Sequence, residues 1–568
     1  MPEKKLNLDP GSTAPNRKAA FIKIAITGII SGLSSFLFLS WVNKLVALLV
    51  AGMYRKPEPR YILIFTVIIA AFIISRRLLS AGMIRLSQFV FWKSRGDILS
   101  AVLKADYEEI LKRKPDVHSA LIYDVSNLTQ ASLNSIQFIT SVVISISCLV
   151  YMAFKSWILF LITLAVVVGG VLIYLFSVSR VNVLYKKTRW FESEFARYFN
   201  AILSGFREIR MDKQKGEALF QRKISVIASG SYENNLKAYT GFLNNQMIGQ
   251  VLFYVLLTGI LTYFSVTLNI PVTSTVNFLF ILLYLLGAVE AVMVLLPGIM
   301  QAEVSRKRIA KLKQELINNT VTQQELSGKI PDELQDRTGL QYINVDAITF
   351  KYHTSTSSSF IMGPVSIDIY PGEIIFIYGG NGSGKTTFIH SLLGLLRYDT
   401  GHIHFNGAQL TQDNCHHYKL MFAAVFSDFF LFDELYGYES FDREKANEYL
   451  QLFELSDKVT VTDNGFSSVD VSTGQRKRLA LIAAMLEKKP IIVLDEWAAD
   501  QDPYFRRKFY QEILPYLKQE GFTVIAITHD DVYYHHADKL FRMEYGQLID
   551  ESGVAKNEMV RTINNLMN

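Results

Sequence analysis

"IIFIYGGNGSGKTTFIHSLLG", Ile374–Gly394, reads as strand, loop and helix in succession: a short apolar run, a glycine-rich loop, then an apolar-periodic segment. The spacing of Gly379, Gly384, Lys385 and Thr386 fits the phosphate-loop pattern G-x-x-x-x-G-K-[ST]. Gly379, Gly380, Asn381, Gly382, Ser383 and Gly384 form a loop whose backbone N–H groups can close around phosphates, at the positive end of the following helix. Lys385 is placed to reach the β- and γ-phosphates of ATP. Thr386 offers a hydroxyl to Mg2+, and Thr387 completes the ATP-contacting set. A pattern this short arises by chance in long chains, but here the strand before it and the helix after it are both present.

A second stretch, "IIVLDEWAADQDP" at 491–503, supplies what a phosphate loop lacks. Ile491 to Leu494 reads as a buried parallel strand, which puts Asp495 at its carboxyl end, where such sheets bind ligands. Asp495 is the expected magnesium ligand, and Glu496 the group that orients or deprotonates the attacking water. A solvated strand end is the ordinary reading of an isolated Asp-Glu pair, and the phosphate loop upstream overrides it. A third strand, "TVIAIT" at 523–528, ends in His529, placed to contact the γ-phosphate.

The chain also carries a second kind of domain. It has 568 residues, half of them hydrophobic and only 19% charged, with a formal net charge of +6. That length predicts at least two domains, and that balance predicts membrane spans. Apolar stretches run over 21–42, 61–75, 135–154, 157–176, 248–268 and 276–296, giving six expected transmembrane helices. The 61–75 stretch is short for a span, and Arg60, Arg76 and Arg77 bracket it. Segments of about 60 and about 70 residues separate the second span from the third and the fourth from the fifth. Their many Lys and Arg residues place them in the cytoplasm together with the amino terminus, although Lys44, Arg55, Lys56 and Arg60 in the first outer loop run mildly against this topology. The small positive surplus is thus explained by cytoplasmic loops, and no nucleic-acid partner is expected. The two cysteines, Cys148 and Cys415, fall in a span and a cytosolic domain, which argues against a disulfide or a zinc site. Glu290 lies inside the sixth apolar run; an ionisable group there is costly unless it lines a cavity or finds a hydrogen-bond partner, and both readings stay open. The expected organisation is a cytoplasmic tail (1–20), a six-helix membrane domain (21–315), a linker (316–339) and an α/β P-loop NTPase domain (340–568).

From about residue 340 onward the chain resembles the ATPase domain of an ABC transporter, and as a whole it resembles a half-transporter of the exporter type. The motifs stand in that family's order. "FKY" at 350–352 implies Tyr352 as the aromatic that stacks on adenine. The phosphate loop follows, then "VSTGQRKRLAL" at 471–481, which matches the signature motif and implies ATP contacts for Ser472, Thr473, Gly474 and Gln475. Asp495 and Glu496 come next, then Asp502 as the D-loop aspartate and His529 as the switch histidine. The resemblance implies a homodimer that sandwiches two ATP molecules, each held by the phosphate loop of one chain and the signature of the other. The long cytoplasmic segments, including "LSGFREIRMDKQKGEAL" at 203–219, would supply helices that dock on the ATPase domains.

Three positions depart from the family pattern. Ser427, followed by Asp428, stands where a glutamine is usual, and its side chain is too short to reach magnesium as glutamine does. Thr473 replaces the first glycine of the signature pair; its hydroxyl is tolerated if the backbone is helical there and otherwise crowds the partner's γ-phosphate. Trp497-Ala498-Ala499 replaces the common Pro-Thr-Ser. Together "AVFSDF", "STGQRKRLAL" and "DEWAADQDP" resemble bacterial exporters of cyclic peptides, lipopeptides, lasso peptides and peptide siderophore precursors. With about 20 residues before the first span, export without leader cleavage is expected. The leading expectation is therefore ATP-driven export of a peptide or similar amphipathic cargo across the bacterial inner membrane, with the ATPase domain cytoplasmic. A lipid or glycolipid flippase shares the architecture. An ATP-gated channel or sensor is the reading from another class, and Glu496 with His529 argues against it.

Overall fold

The computed structural model describes residues 17–50, 59–268, 270–318, 339–351, 360–437 and 441–553. Two compact units result: one runs to Leu103 and from Arg113 to Glu315, and the other takes Lys104–Lys112 and the chain from Leu316 onward.

The first unit is helical. Among the described residues, six helices are long and apolar enough to cross a membrane, at Ile26–Val46, Pro59–Lys104, Tyr107–Lys155, Trp157–Tyr174, Lys213–Thr267 and Ser274–Ile317. The expected spans all fall on these helices. The doubtful 61–75 stretch belongs to a helix that continues unbroken to Lys104, so Arg76 and Arg77 end its apolar run without ending the helix. Trp157–Ser204 packs along Ser225–Gly259, and Arg17–Val50 along Val125–Lys155. With water absent, helical hydroxyls return their hydrogen to the preceding turn: Ser34 to the Ile30 carbonyl at 2.7 Å and Thr163 to that of Leu159 at 2.8 Å. Polar bonds also cross between helices: Ser305 donates to Asp124 at 2.6 Å and accepts from Asn127 at 3.2 Å. Tyr174 donates to the Met293 carbonyl at 2.6 Å, and Asn43 to that of Asn277 at 3.2 Å. Cys148 is fully buried and unpaired by any disulfide.

The second unit is α/β. A six-stranded sheet runs β10-β9-β3-β8-β7-β6, with β6 Phe422–Val425, β7 Ile491–Asp495, β8 Thr523–Ile527, β3 Ile374–Tyr378 and β9 Lys539–Glu544 parallel and β10 Gln547–Asp550 antiparallel at the edge. A smaller antiparallel sheet runs β2-β1-β4-β5, over Ile361–Ile369, Ile343–Lys351, Thr400–Phe405 and Ala408–Gln409. The unbroken apolar runs of β3, β7 and β8 follow from burial on both faces. Ile374, Phe376, Ile492, Leu494, Val524 and Ala526 enter one core, with the helix Thr473–Leu486. Their alternating neighbours Ile375, Ile377, Ile491, Val493, Ile525 and Ile527 enter the other, against the small sheet and the helix Lys385–Leu392. The parallel register sets Asp495 beside Ile527, so the carboxyl ends of β3, β7 and β8 open on one edge.

Candidate ATP site

The phosphate loop joins β3 to the helix Lys385–Leu392, as its sequence predicts. Gly379 has φ +151°, and a Cβ there would stand 2.1 Å from the Met543 carbonyl oxygen, so no other residue fits. Gly384 caps the helix in a left-handed conformation. Lys385 is buried, and its ammonium donates to the carbonyls of Gly379 and Gly380 at 2.8 and 3.0 Å. Burial lowers its pKa, opposed by the charges of Glu496 and Asp495. Asn381, Gly382 and Thr386 are exposed, whereas Thr387 is buried. The Ser383 hydroxyl is buried without a hydrogen-bond partner among the described residues, which suits a loop made to receive phosphate oxygens.

Asp495 ends β7 at 2% exposure. Burial raises its pKa; hydrogen bonds donated by the Ser427 hydroxyl and backbone N–H pull it down, while the Glu496 charge pushes it up. Ser427, too short for a metal in the manner of glutamine, thus lies near the carboxylate expected to hold that metal. Glu496 follows in a left-handed conformation, φ +50°, with its N–H donating to the Ile527 carbonyl at 3.1 Å. Its carboxylate lies 3.2 Å from Nε2 of His529, at the end of β8. Among the described residues no cluster of three or more His, Cys, Asp or Glu can hold a metal by itself. One hydroxyl, Thr386, and one carboxylate, Asp495, suit a magnesium ion whose remaining ligands are phosphate oxygens and water.

The signature lies at the start of the helix Thr473–Leu486. Ser472 caps it, accepting from Gln475 N, while the Gln475 side chain accepts from Ser472 N, a reciprocal capping box. Thr473 is the first helical residue and is exposed, so the helical backbone that its hydroxyl required is present. Gly474 packs so closely that a Cβ would lie 2.9 Å from the Asp500 carbonyl oxygen. Asp502 caps the helix Pro503–Lys508 by accepting from Phe505 N at 2.9 Å, and it pairs with Arg478 at 2.8 Å. The Phe505 N–H, with Arg478 assisting, lowers its pKa. Tyr352 lies outside the described residues.

Sequence reasoning passed over several neighbours. Trp497 is 1% exposed, its ring 4.5 Å from that of Phe509, and its Nε1 donates to the Lys477 carbonyl at 2.8 Å. Trp497 and Ala498 of the unusual Trp-Ala-Ala are therefore core, the indole filling space, while Ala499 is exposed in the turn that follows. His390 stacks edge-on against Phe426 and against Tyr107, with centroids 5.5 and 5.6 Å apart, and Asp106 pairs with Arg397 at 2.7 Å. Both Asp106 and Tyr107 come from the 104–112 segment, which belongs to this compact unit although the chain places it between the second and third apolar stretches. Burial lowers the His390 pKa, against the opposing charges of Asp495 and Asp428.

A phosphate loop with an Asp-Glu pair and a histidine at neighbouring strand ends, in a chain whose described residues include six helices apolar enough to span a membrane, defines an ABC-type ATPase fused to a membrane domain. Comparison with known proteins agrees. The model of the ABC transporter family matches residues 362–499, and that of the ABC transporter transmembrane region matches residues 21–289. The chain belongs to the ABC transporters as an exporter half-transporter, a multi-pass membrane protein whose ATPase domain couples ATP hydrolysis to transport. It is 29% identical to the ATP-binding protein SyrD of Pseudomonas syringae pv. syringae over 536 residues, 93% of either chain. It is 28% identical to an ATP-dependent lipid A-core flippase of Burkholderia orbicola (strain AU 1054), but over 39% of this chain and 38% of the flippase. Its fold matches the structure of a bacterial Atm1-family ABC exporter with ATP bound, at a TM-score of 0.80 over 96% of this chain and 98% of that one, with 14% identity.

Proposed function

We propose that the chain works as a homodimer in the bacterial inner membrane, with its ATPase domains in the cytoplasm, and exports a peptide cargo: a cyclic peptide, lipopeptide, lasso peptide or peptide siderophore precursor. The carrying observation is the turn after Glu496. Trp497-Ala-Ala belongs to the sequence pattern that resembles such exporters, and here it is a packed structural element rather than a casual substitution. The near-complete alignment with SyrD, against the partial one with the flippase, supports a subgroup apart from lipid flippases. Within the membrane unit, Gln246, Gln250 and Glu290 line one cavity of about 20 Å3 together with apolar residues such as Phe253. A cavity of that size has room for about one water molecule, so it is not itself a cargo site.

In the ATPase cycle we assign Lys385 and the loop Gly379–Gly384 to the phosphates, Thr386 and Asp495 to Mg2+, and Tyr352 to adenine. Magnesium, when bound, neutralises charge between the β- and γ-phosphates. Glu496 orients the attacking water and takes its proton, His529 holds the Glu496 carboxylate and faces the γ-phosphate, and the Ser472–Gln475 cap with Asp502 serves the ATP of the partner chain. Ser427 keeps Asp495 oriented in place of a direct glutamine contact.

The discriminating experiment is ATP hydrolysis by the full chain in proteoliposomes, with a panel of cyclic and lasso peptides set against lipid A-core glycolipid. Stimulation by peptide and its accumulation on the far side are expected. Stimulation by glycolipid alone overturns the peptide reading and leaves the flippase.

A further inference from the structure

The turn that follows Glu496 is bonded to the signature helix at five points. Lys477, at 3% exposure, directs its ammonium to the Glu496 carbonyl at 2.9 Å and to the Asp500 carboxylate at 2.8 Å. The Trp497 indole N–H returns to the Lys477 carbonyl at 2.8 Å. Gln501, buried at 4% exposure, donates to the Gly474 carbonyl at 3.1 Å and accepts from Arg478 at 2.9 Å. A Cβ on Gly474 would meet the Asp500 carbonyl, so the two elements touch backbone to backbone.

These bonds converge on a residue whose backbone is under constraint. Glu496 is a non-glycine residue at φ +50°, a conformation that persists only where its surroundings fix it. On the amide side the Ile527 carbonyl fixes it, and on the carbonyl side Lys477 does. Those two peptide planes set the direction of the Cα–Cβ bond, and with it the carboxylate that meets His529. A buried ammonium is costly unless well paired; the Asp500 carboxylate offsets that cost, and a further donor is directed to the Glu496 carbonyl.

We infer that Lys477 is a positioning residue for ATP hydrolysis: it holds the Glu496 peptide so that the carboxylate addresses the attacking water, with the Trp497–Gln501 turn clamping Lys477 in place. The inference rests on the reading of Glu496 as the water-activating group. In the proposed dimer Ser472 and Gln475 meet the partner's ATP, so the same clamp ties a chain's grip on one nucleotide to the geometry of its own hydrolytic carboxylate.

The test uses the full chain in lipid nanodiscs, reading steady-state phosphate release against ATP concentration, fluorescent trinitrophenyl-ATP binding and thermal unfolding. Lys477→Met keeps the bulk of the side chain and removes the donor. Its kcat is expected to fall about 10- to 100-fold, the cost of misplacing a reacting group by about an ångström, with KM and nucleotide affinity within about twofold of the parent. A merely structural lysine predicts the opposite split: a lower unfolding temperature and weaker binding, with kcat unchanged in the folded fraction. Should Lys477→Met not fold, Trp497→Phe removes the indole donor while keeping an aromatic ring, and kcat is expected to fall about threefold at unchanged KM. A folded Lys477→Met with kcat within twofold of the parent overturns the inference, as does an unchanged Trp497→Phe where the first variant fails. Glu496→Gln run in parallel separates the two readings. If it still hydrolyses ATP at the parental rate, the role of Glu496 fails; if it is inactive and Lys477→Met is not, only the positioning role fails.

Discussion

The two units of the chain use their polar groups in different ways. In the membrane unit, hydroxyls such as those of Ser34, Ser145 and Thr163 bond to their own helix, one turn back. In the ATPase unit, Lys477, Arg478, Gln501 and Trp497 bond between elements far apart in sequence. The first arrangement satisfies a local need and tolerates many sequences, because lipid tails are as apolar as leucine and give helices little reason to prefer one apolar face. The second fixes the position of particular atoms. Side-chain identity therefore matters most where bonds cross between elements, and that contrast can be tested by substitution.

The largest effect belongs to the site itself. Glu496→Gln is expected to lower ATP turnover about 10²- to 10⁴-fold while leaving nucleotide binding intact, measured as phosphate release against trapped nucleotide. Full transport by this variant would favour the ATP-gated channel or sensor. Next comes the packing that supports the site. Trp497→Ala empties a fully buried indole volume and removes a buried hydrogen bond, and is expected to cost about 3–5 kcal/mol of ATPase-unit stability in a denaturant melt. The lipid-facing counterpart is Leu63, 68% exposed on the second membrane helix. Leu63→Ala is expected to change stability by no more than about 0.5 kcal/mol in lipid nanodiscs. A loss comparable to that of Trp497→Ala would break the contrast and mark Leu63 as part of an interface.

The same contrast governs what the sequence discloses. Motifs whose partners are adjacent in sequence were legible: the phosphate loop between β3 and its helix, and Asp495 at the end of β7. The six spans were legible from run length, although the second read short because its helix outlasts its apolar run at Arg76. The nearness of Ser427 to Asp495 and the reach of Lys477 to the Glu496 carbonyl were not, since each depends on the register between separate elements. The nearest signals were a lysine between two arginines just before an apolar helical stretch, and a tryptophan where proline is usual. Both mark places where local pattern yields to tertiary packing.

One consequence concerns how the protein can be taken apart. The ATPase unit includes Lys104–Lys112, nine residues that the chain supplies from the far side of four membrane helices. Excising the carboxy-terminal half at residue 340 removes the Asp106 carboxylate from Arg397 and the Tyr107 ring from His390, which lies on the phosphate-loop helix itself. Such a fragment keeps every nucleotide motif, yet it leaves bare a flank of the phosphate-loop helix that the intact unit covers with its own chain.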